Sequence, residues 1–231
     1  MEENEYANPA LLMSVHDLYA RLDEEKLCVV DARPSHLFAA GHIPGAVHLD
    51  LYGISLNNTS DESFDSFMWM FQYLLSSRGI GSEKTVVWYE DNSGMRAARG
   101  FWVCEYFGHL DVHVLDGGLT AWQAAGYAVT TECAIPERSE LFGDPMRERY
   151  VGADMLHGML DRDDVVPLDT RSAGEYYGTN VRAARGGAIP GAVHVEYVNN
   201  LAEDGTFKSA RELRAMYEAL GVTPEKEIVP Y

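Results

Sequence analysis

Three stretches of this chain occur twice and in the same order, and that duplication limits its possible folds more than any other feature. Val29-Val30-Asp31-Ala32-Arg33 returns as Pro167-Leu168-Asp169-Thr170-Arg171, 138 residues later. Gly41-His42-Ile43-Pro44-Gly45-Ala46-Val47-His48 returns as Gly187-Ala188-Ile189-Pro190-Gly191-Ala192-Val193-His194 at an offset of 146. Gly79 to Tyr89 returns as Gly221 to Tyr231 at an offset of 142. Chance supplies one such match, not three in sequence. The chain is read as two copies of one domain, residues 1–130 and 150–231. Between them lies a polar linker, 131–149, carrying Pro136 and Pro145.

Within a copy, short apolar runs alternate with helical spacing. Leu27 to Val30, Thr85 to Tyr89 and Val112 to Leu115 read as strands buried on both faces. Ser14 with Asp17 opens a helix as a capping pair ahead of Leu18 and Leu22. Apolar residues at 64, 67, 68, 71, 74 and 75 predict a helix over 62–77. A loop from Glu90 to Gly94 leads into a helix over 95–107, and Gly117-Gly118 turns into another that carries Leu119 and Trp122. This is the pattern of an α/β fold: in each copy a mostly parallel sheet with helices on both faces. Sites in such sheets form where strands end and helices begin, because helix N-termini offer free N–H groups to anions.

Charge narrows the partners. Thirty-six acidic against eighteen basic side chains leave a net charge of −18, a field that repels phosphate backbones and anionic lipid. Neither nucleic acid nor membrane is an expected partner, and no apolar run approaches the roughly 18 residues of a spanning helix. The acidic start Met1-Glu2-Glu3-Asn4-Glu5 is unlike a presequence, and three widely spaced cysteines fit a reducing compartment, so a cytoplasmic protein is expected.

Asp-x-Arg, then Gly-His-Ile-Pro-Gly-Ala-Val-His, then a strand running into a short loop and helix, together resemble the rhodanese domain. The tandem arrangement is similar to the thiosulfate and 3-mercaptopyruvate sulfurtransferases. So are Leu115 to Trp122 at the end of the first copy and Asn199 to Ser209 in the second. The resemblance implies transfer of a sulfane sulfur through a cysteine persulfide. The partners would be a small anionic sulfur donor and a cyanide or thiol acceptor, with no dissociable cofactor and no metal. In that family the nucleophile heads a six-residue loop, Cys-x-x-Gly-x-Arg or Thr, at a helix N-terminus. Such a position lowers a thiol's pKa.

The first copy departs from this pattern. Its loop, Glu90-Asp91-Asn92-Ser93-Gly94-Met95-Arg96, has a carboxylate in the nucleophile's place and is one residue longer. It is expected to be non-catalytic, with Arg96 and Arg99 neutralising Glu90 and Asp91. A Glu-to-Arg spacing of six also suits a phosphatase loop, but without cysteine no phosphoenzyme forms. In the second copy the match to Tyr89 is Tyr231, so the catalytic cysteine is expected immediately after it. The polypeptide is then expected to continue for about as far as the first copy does beyond Tyr89. There the first copy supplies Phe101, Trp102, Val103, Phe107, Val112, Val114, Leu119 and Trp122. Those side chains are worth roughly 12–24 kcal/mol as an upper bound, against the roughly 5–15 kcal/mol that holds a domain together. A second copy without their counterpart is expected not to fold stably alone. Residues 1–231 by themselves are expected to be inactive, and the alternative is a catalytically dead binding or regulatory protein.

Cys28 and Cys104 are expected to be core thiols and Cys133 an exposed linker residue. His42, His48 and His194 are expected to make structural hydrogen bonds. Asp31 and Asp169 either orient the following loop or cap strand ends, and Arg33 and Arg171 pair with nearby carboxylates. Arg171 is also a donor-anion candidate. Where the vertebrate-like pattern has a substrate-contacting arginine, this chain has Glu175, so anion recognition is expected to come from elsewhere, and Asp169, Arg171 and Glu175 are the substrate-binding or loop-orienting candidates. Arg182 and Arg185, in the insertion 179–186, either bring positive charge to the site or belong to a solvated loop.

Overall fold

The computed structural model describes residues 6–140 and 143–231, so the acidic start at 1–5 lies outside the described residues. In chain order the strands are β1 Leu12–Met13, β2 Leu27–Asp31, β3 Val47–His48, β4 Thr85–Tyr89, β5 Val112–Leu115, β6 Val165–Asp169, β7 Val193–His194 and β8 Glu227–Pro230. The α-helices are α1 Val15–Arg21, α2 Ser35–Ala40, α3 Asp61–Ser77, α4 Met95–Tyr106, α5 Gly118–Ala124, α6 Ala153–Met159, α7 Ala173–Tyr176 and α8 Ala210–Glu218. The chain divides into two compact units. The first unit is Asn8–Tyr150 with Glu203–Phe207; the second is Val151–Ala202 with Lys208–Tyr231 and residues 6–7.

In the first unit the strands form one parallel sheet in the order β1-β5-β4-β2-β3. Successive strand residues face opposite sides, and the core follows that alternation. Cys28, Val30, Val86 and Trp88 pack with Phe64, Met68 and Phe71 of α3 and Val103 of α4. Val29, Val87 and Tyr89 pack on the other face with Leu18 of α1 and Leu119 and Trp122 of α5. All five residues of β4 are buried, which is why this strand shows in the sequence as an unbroken apolar run. The second unit repeats the plan with three parallel strands, β7-β6-β8. Val165 and Val229 pack with Leu156 of α6 on one face. Leu168 and Ile228 pack with Met216 and Tyr217 of α8 on the other.

Two segments run differently from the repeat. Of the segment 131–149, read as a linker, residues 131–140 and 143–149 lie along the first unit. Ser139 donates its N–H to the Ser76 carbonyl at 3.1 Å, and Met146 donates to the Tyr106 carbonyl at 2.7 Å. The segment thus satisfies carbonyls in the last turns of α3 and α4 that have no partner within the helix. Tyr150 then stacks on Phe64 at 3.5 Å between centroids. Residues Glu203–Phe207 also belong to the first unit although both flanks belong to the second. Phe207 packs against the α3/α4 core, and its N–H bonds Asp116 at 2.8 Å. Among the described residues no helix is long and apolar enough to cross a membrane.

Candidate functional site

At the C-terminal end of each central strand the same side chains build the same network. In the first unit Asp31 is fully buried and accepts the Arg33 backbone N–H at 2.9 Å, its Nε at 3.0 Å and its Nη2 at 2.6 Å. Tyr89 donates its hydroxyl to the same carboxylate at 2.6 Å and accepts the Ile43 N–H at 3.1 Å. Arg33 also donates to the Gly41 carbonyl at 2.7 Å, and His48 Nε2 donates to the Arg33 carbonyl at 2.8 Å. The second unit matches this bond for bond. Arg171 donates to Asp169 from its backbone, Nε and Nη2, and to the Gly187 carbonyl at 3.0 Å. Ile189 donates to the Tyr231 hydroxyl at 2.9 Å, and His194 donates to the Arg171 carbonyl at 2.9 Å. The turn in between needs its glycine: Gly45 and Gly191 both sit at φ 78°, in the left-handed region.

This network explains the repeated motifs. Asp and Arg form an ion pair that pins the Gly-x-Ile-Pro-Gly turn, and the strand-end tyrosine ties turn and carboxylate together. Burial opposes ionisation of Asp169, but the Arg171 side-chain and backbone bonds and the Tyr231 hydroxyl outweigh it and hold its carboxyl below the usual range. For Tyr89, burial and then Asp31 push the phenol up, so it stays a donor. Asp31 and Asp169 act here as strand-end hubs, and Arg33 and Arg171 pair as expected. The two tyrosines were aligned by the repeat, but their hydroxyl roles were not read from it.

In the first unit's loop Glu90 follows β4, and its cationic neighbours pair differently from the expectation. Glu90 folds back so that its Oε1 accepts the N–H groups of Arg96 at 2.6 Å and Ala97 at 3.2 Å, in the first turn of α4. The loop's anion cradle is filled by its own side chain. The Arg96 guanidinium goes to Asp50 at 2.6 Å and lies over the Tyr52 ring, and Arg99 donates to the Ile54 carbonyl. Neither side chain neutralises Glu90 or Asp91 by direct pairing, because both reach away from the loop toward residues 50–54. The cation facing Asp91 is Arg33, at 3.6 Å. Ser93 donates its N–H to the Gly205 carbonyl at 3.0 Å and its hydroxyl to Asp116 at 2.9 Å, and it accepts the Gly117 N–H. The loop therefore serves as a seat for residues 203–207.

Burial raises the pKa of Glu90 in spite of the Ala97 and Arg96 N–H bonds. The folded protein then holds this proton more tightly than the unfolded chain. The group's contribution to stability is best below the unfolded pKa and is lost as pH rises through the folded one. Glu90→Gln keeps an oxygen for the two N–H groups and removes the charge. It is expected to raise the urea midpoint of the first unit at about pH 8 and to give no advantage at about pH 4. An equal effect at both pH values would contradict this reading.

Glu175 is committed elsewhere. It accepts the Ser172 hydroxyl at 2.7 Å and backbone N–H at 3.2 Å, closing a capping box on α7, and it pairs with Arg182 at 3.2 Å. The Ser172 bond leads in lowering its pKa. Arg182 is exposed beside it. Cys28 and Cys104 are buried, and burial pushes both thiols up to about 12, while Cys133 is exposed. His42 is fully buried between the Phe38 and Glu132 carbonyls. Among the described residues no group of three His, Cys, Asp or Glu side chains is placed to hold a metal.

Comparison with known proteins agrees with this geometry. The rhodanese-like domain family matches residues 14–125. The chain is 32% identical over 228 residues to the thiosulfate sulfurtransferase of Azotobacter vinelandii, covering 99% of this chain and 84% of that protein. It is 34% identical over 251 residues to the sulfur carrier protein TtuD of Thermus thermophilus, covering 98% and 83%. The crystal structure of SseA from Escherichia coli, described as a 3-mercaptopyruvate sulfotransferase, superposes with a TM-score of 0.81. That match covers 95% of this chain and 87% of SseA at 22% identity, a likeness of fold.

Proposed function

The chain belongs to the rhodanese sulfurtransferases, and from that premise we propose that it moves a sulfane sulfur from thiosulfate or 3-mercaptopyruvate to cyanide or a thiol through a cysteine persulfide. The supporting observation is the register of the duplicated network. β8 runs beside β6 to Pro230, and Tyr231 continues the line by donating its N–H to the Leu168 carbonyl, as β4 runs beside β2 to Tyr89. The position after Tyr231 thus corresponds to Glu90, the head of the strand-to-helix loop. A thiolate there attacks the outer sulfur of thiosulfate; the S–S bond breaks and sulfite leaves with the electron pair. Cyanide then attacks the outer sulfur of the persulfide, thiocyanate leaves, and the thiolate is regenerated in a second displacement. Loop N–H groups hold the negative charge in both steps.

Asp169 and Arg171 position the start of this loop, and Arg171 is the nearest candidate to meet the donor anion. The bonds of Glu175 to Ser172 and Arg182 support a loop-orienting role for it rather than a donor-binding one. The test is thiocyanate formation by the full-length polypeptide with cyanide and each donor in turn. Ping-pong kinetics are expected, with one sulfur atom added to one cysteine when donor is present alone. Residues 1–231 alone are expected to give no turnover above the uncatalysed rate. Silence from the full-length polypeptide would overturn the sulfur-transfer reading. Robust turnover by residues 1–231 would overturn the placement of the nucleophile.

A further inference from the structure

His42 marks a difference between the two Gly-x-Ile-Pro-Gly turns, because the second copy has Ala188 in its place. The His42 ring is fully buried, and both of its nitrogens face backbone oxygens. Nδ1 lies 2.8 Å from the Phe38 carbonyl and Nε2 lies 3.1 Å from the Glu132 carbonyl. A carbonyl oxygen only accepts, so each contact is a hydrogen bond only when the nitrogen carries a proton. A neutral imidazole has one N–H. It satisfies one oxygen and turns a lone pair toward the other, at a buried place where solvent cannot step in. The imidazolium satisfies both. The ring also stacks on Phe38 at 3.8 Å between centroids, an aromatic face that attracts positive charge. The backbone adds a second tie, since His42 and Thr130 each donate an N–H to the other's carbonyl at 2.9 Å.

We propose that His42 is a proton-operated latch that fastens residues 130–132 to α2 when its ring is charged and releases one of the two carbonyls when it is neutral. The surrounding titratable groups do not replace it. On the strands Asp31 and Arg33 are paired with each other, Arg33 donating also to the Gly41 carbonyl, and the Tyr89 hydroxyl is held by Asp31 and Ile43. His48 lies 5.1 Å from the Phe38 ring and bonds the Arg33 carbonyl. His36 of α2 and Glu132 are exposed. What the latch holds is the start of the segment that closes the first unit. Further along it, Ala134 and residues 136–139 wall a cavity of about 450 Å³ that has Cys28, Arg78 and Lys84 on its other sides. Loss of the proton therefore loosens the cover of that cavity. The second copy, with alanine at this place, cannot make the tie.

The experiment reads the His42 ring ¹⁵N shifts and native-state amide exchange in the full-length polypeptide at about pH 5.5 and about pH 8.5, either side of the ordinary histidine range. Both ring nitrogens are expected to carry protons at the lower pH and one at the higher. Protection of the Thr130 and Ser139 amides is taken relative to the Val86 amide of β4, which bonds the Asp111 carbonyl and reports the unit as a whole. That ratio is expected to fall about tenfold between the two pH values, the worth of one charge-assisted hydrogen bond. His42→Gln does not titrate and is expected to hold the ratio constant. A single ring N–H at about pH 5.5, a wild-type ratio that does not change, or a glutamine variant that follows wild type would each overturn the latch. If the variant does not fold, the two wild-type measurements decide by themselves. Sulfur transfer plays no part in these readouts, so their failure leaves that reading standing.

Discussion

Asp31→Ala is expected to lower the unfolding free energy of the first unit by about 3–5 kcal/mol, the cost of removing one partner from a buried ion pair. The carboxylate is fully buried, and the Arg33 side chain is only 5% exposed. Without Asp31 the guanidinium keeps the Gly41 carbonyl and only the exposed Asp91 at 3.6 Å as counter-charge, and the Tyr89 hydroxyl loses its acceptor. Water cannot replace either bond without opening the turn. Asp169→Ala makes the matching cut where Arg171 is 34% exposed, so solvent compensates and the loss there is expected to be smaller. All four tryptophans, Trp69, Trp88, Trp102 and Trp122, lie in the first unit. Tryptophan fluorescence in urea therefore follows that unit alone, avoiding the error of treating a chain of two units as one transition. A fall in midpoint at constant m-value is the expected signature. A change under about 1 kcal/mol would show that the pair contributes little beyond its own desolvation.

Gly100→Ala is expected to destabilise the same unit by about 2 kcal/mol, against the direction helix propensity alone would set. In an exposed helix the change would gain about 1 kcal/mol. Here a Cβ would meet Trp88 ring carbons at 2.2, 2.3 and 2.5 Å. Trp88 is wholly buried in a close-packed layer between β4 and α4, so neither side can give way. Overpacking of this kind costs up to about 3 kcal/mol, which exceeds the propensity gain. Trimming the ring by Trp88→Leu in the alanine background should make the two losses less than additive, with a coupling above about 1 kcal/mol. Additive losses would place the strain elsewhere.

What the sequence disclosed follows from range. β4 and β5 begin and end where the sequence reading put them, because strands covered on both faces are mostly apolar, Thr85 and His113 being the polar steps. Ser14 caps α1 through the Asp17 N–H, a contact three residues long. The repeat itself aligned Asp31 with Asp169 and Tyr89 with Tyr231. The hydroxyl bonds of those tyrosines span 58 and 42 residues and leave no periodic trace. Arg96 misled for a related reason: its neighbour along the chain is Glu90, but its guanidinium reaches Asp50, 46 positions away. β1, two residues long, is too short to show any alternation.

Glu203–Phe207 carries a cost for protein engineering. A gene cut at residue 150 would strip the leading half of a strip that seats Ser93, Asp116 and the α3/α4 core. It would leave the trailing half with an apolar phenylalanine and no home for it. Shuffling the first unit between relatives therefore requires moving residues 203–207 with it.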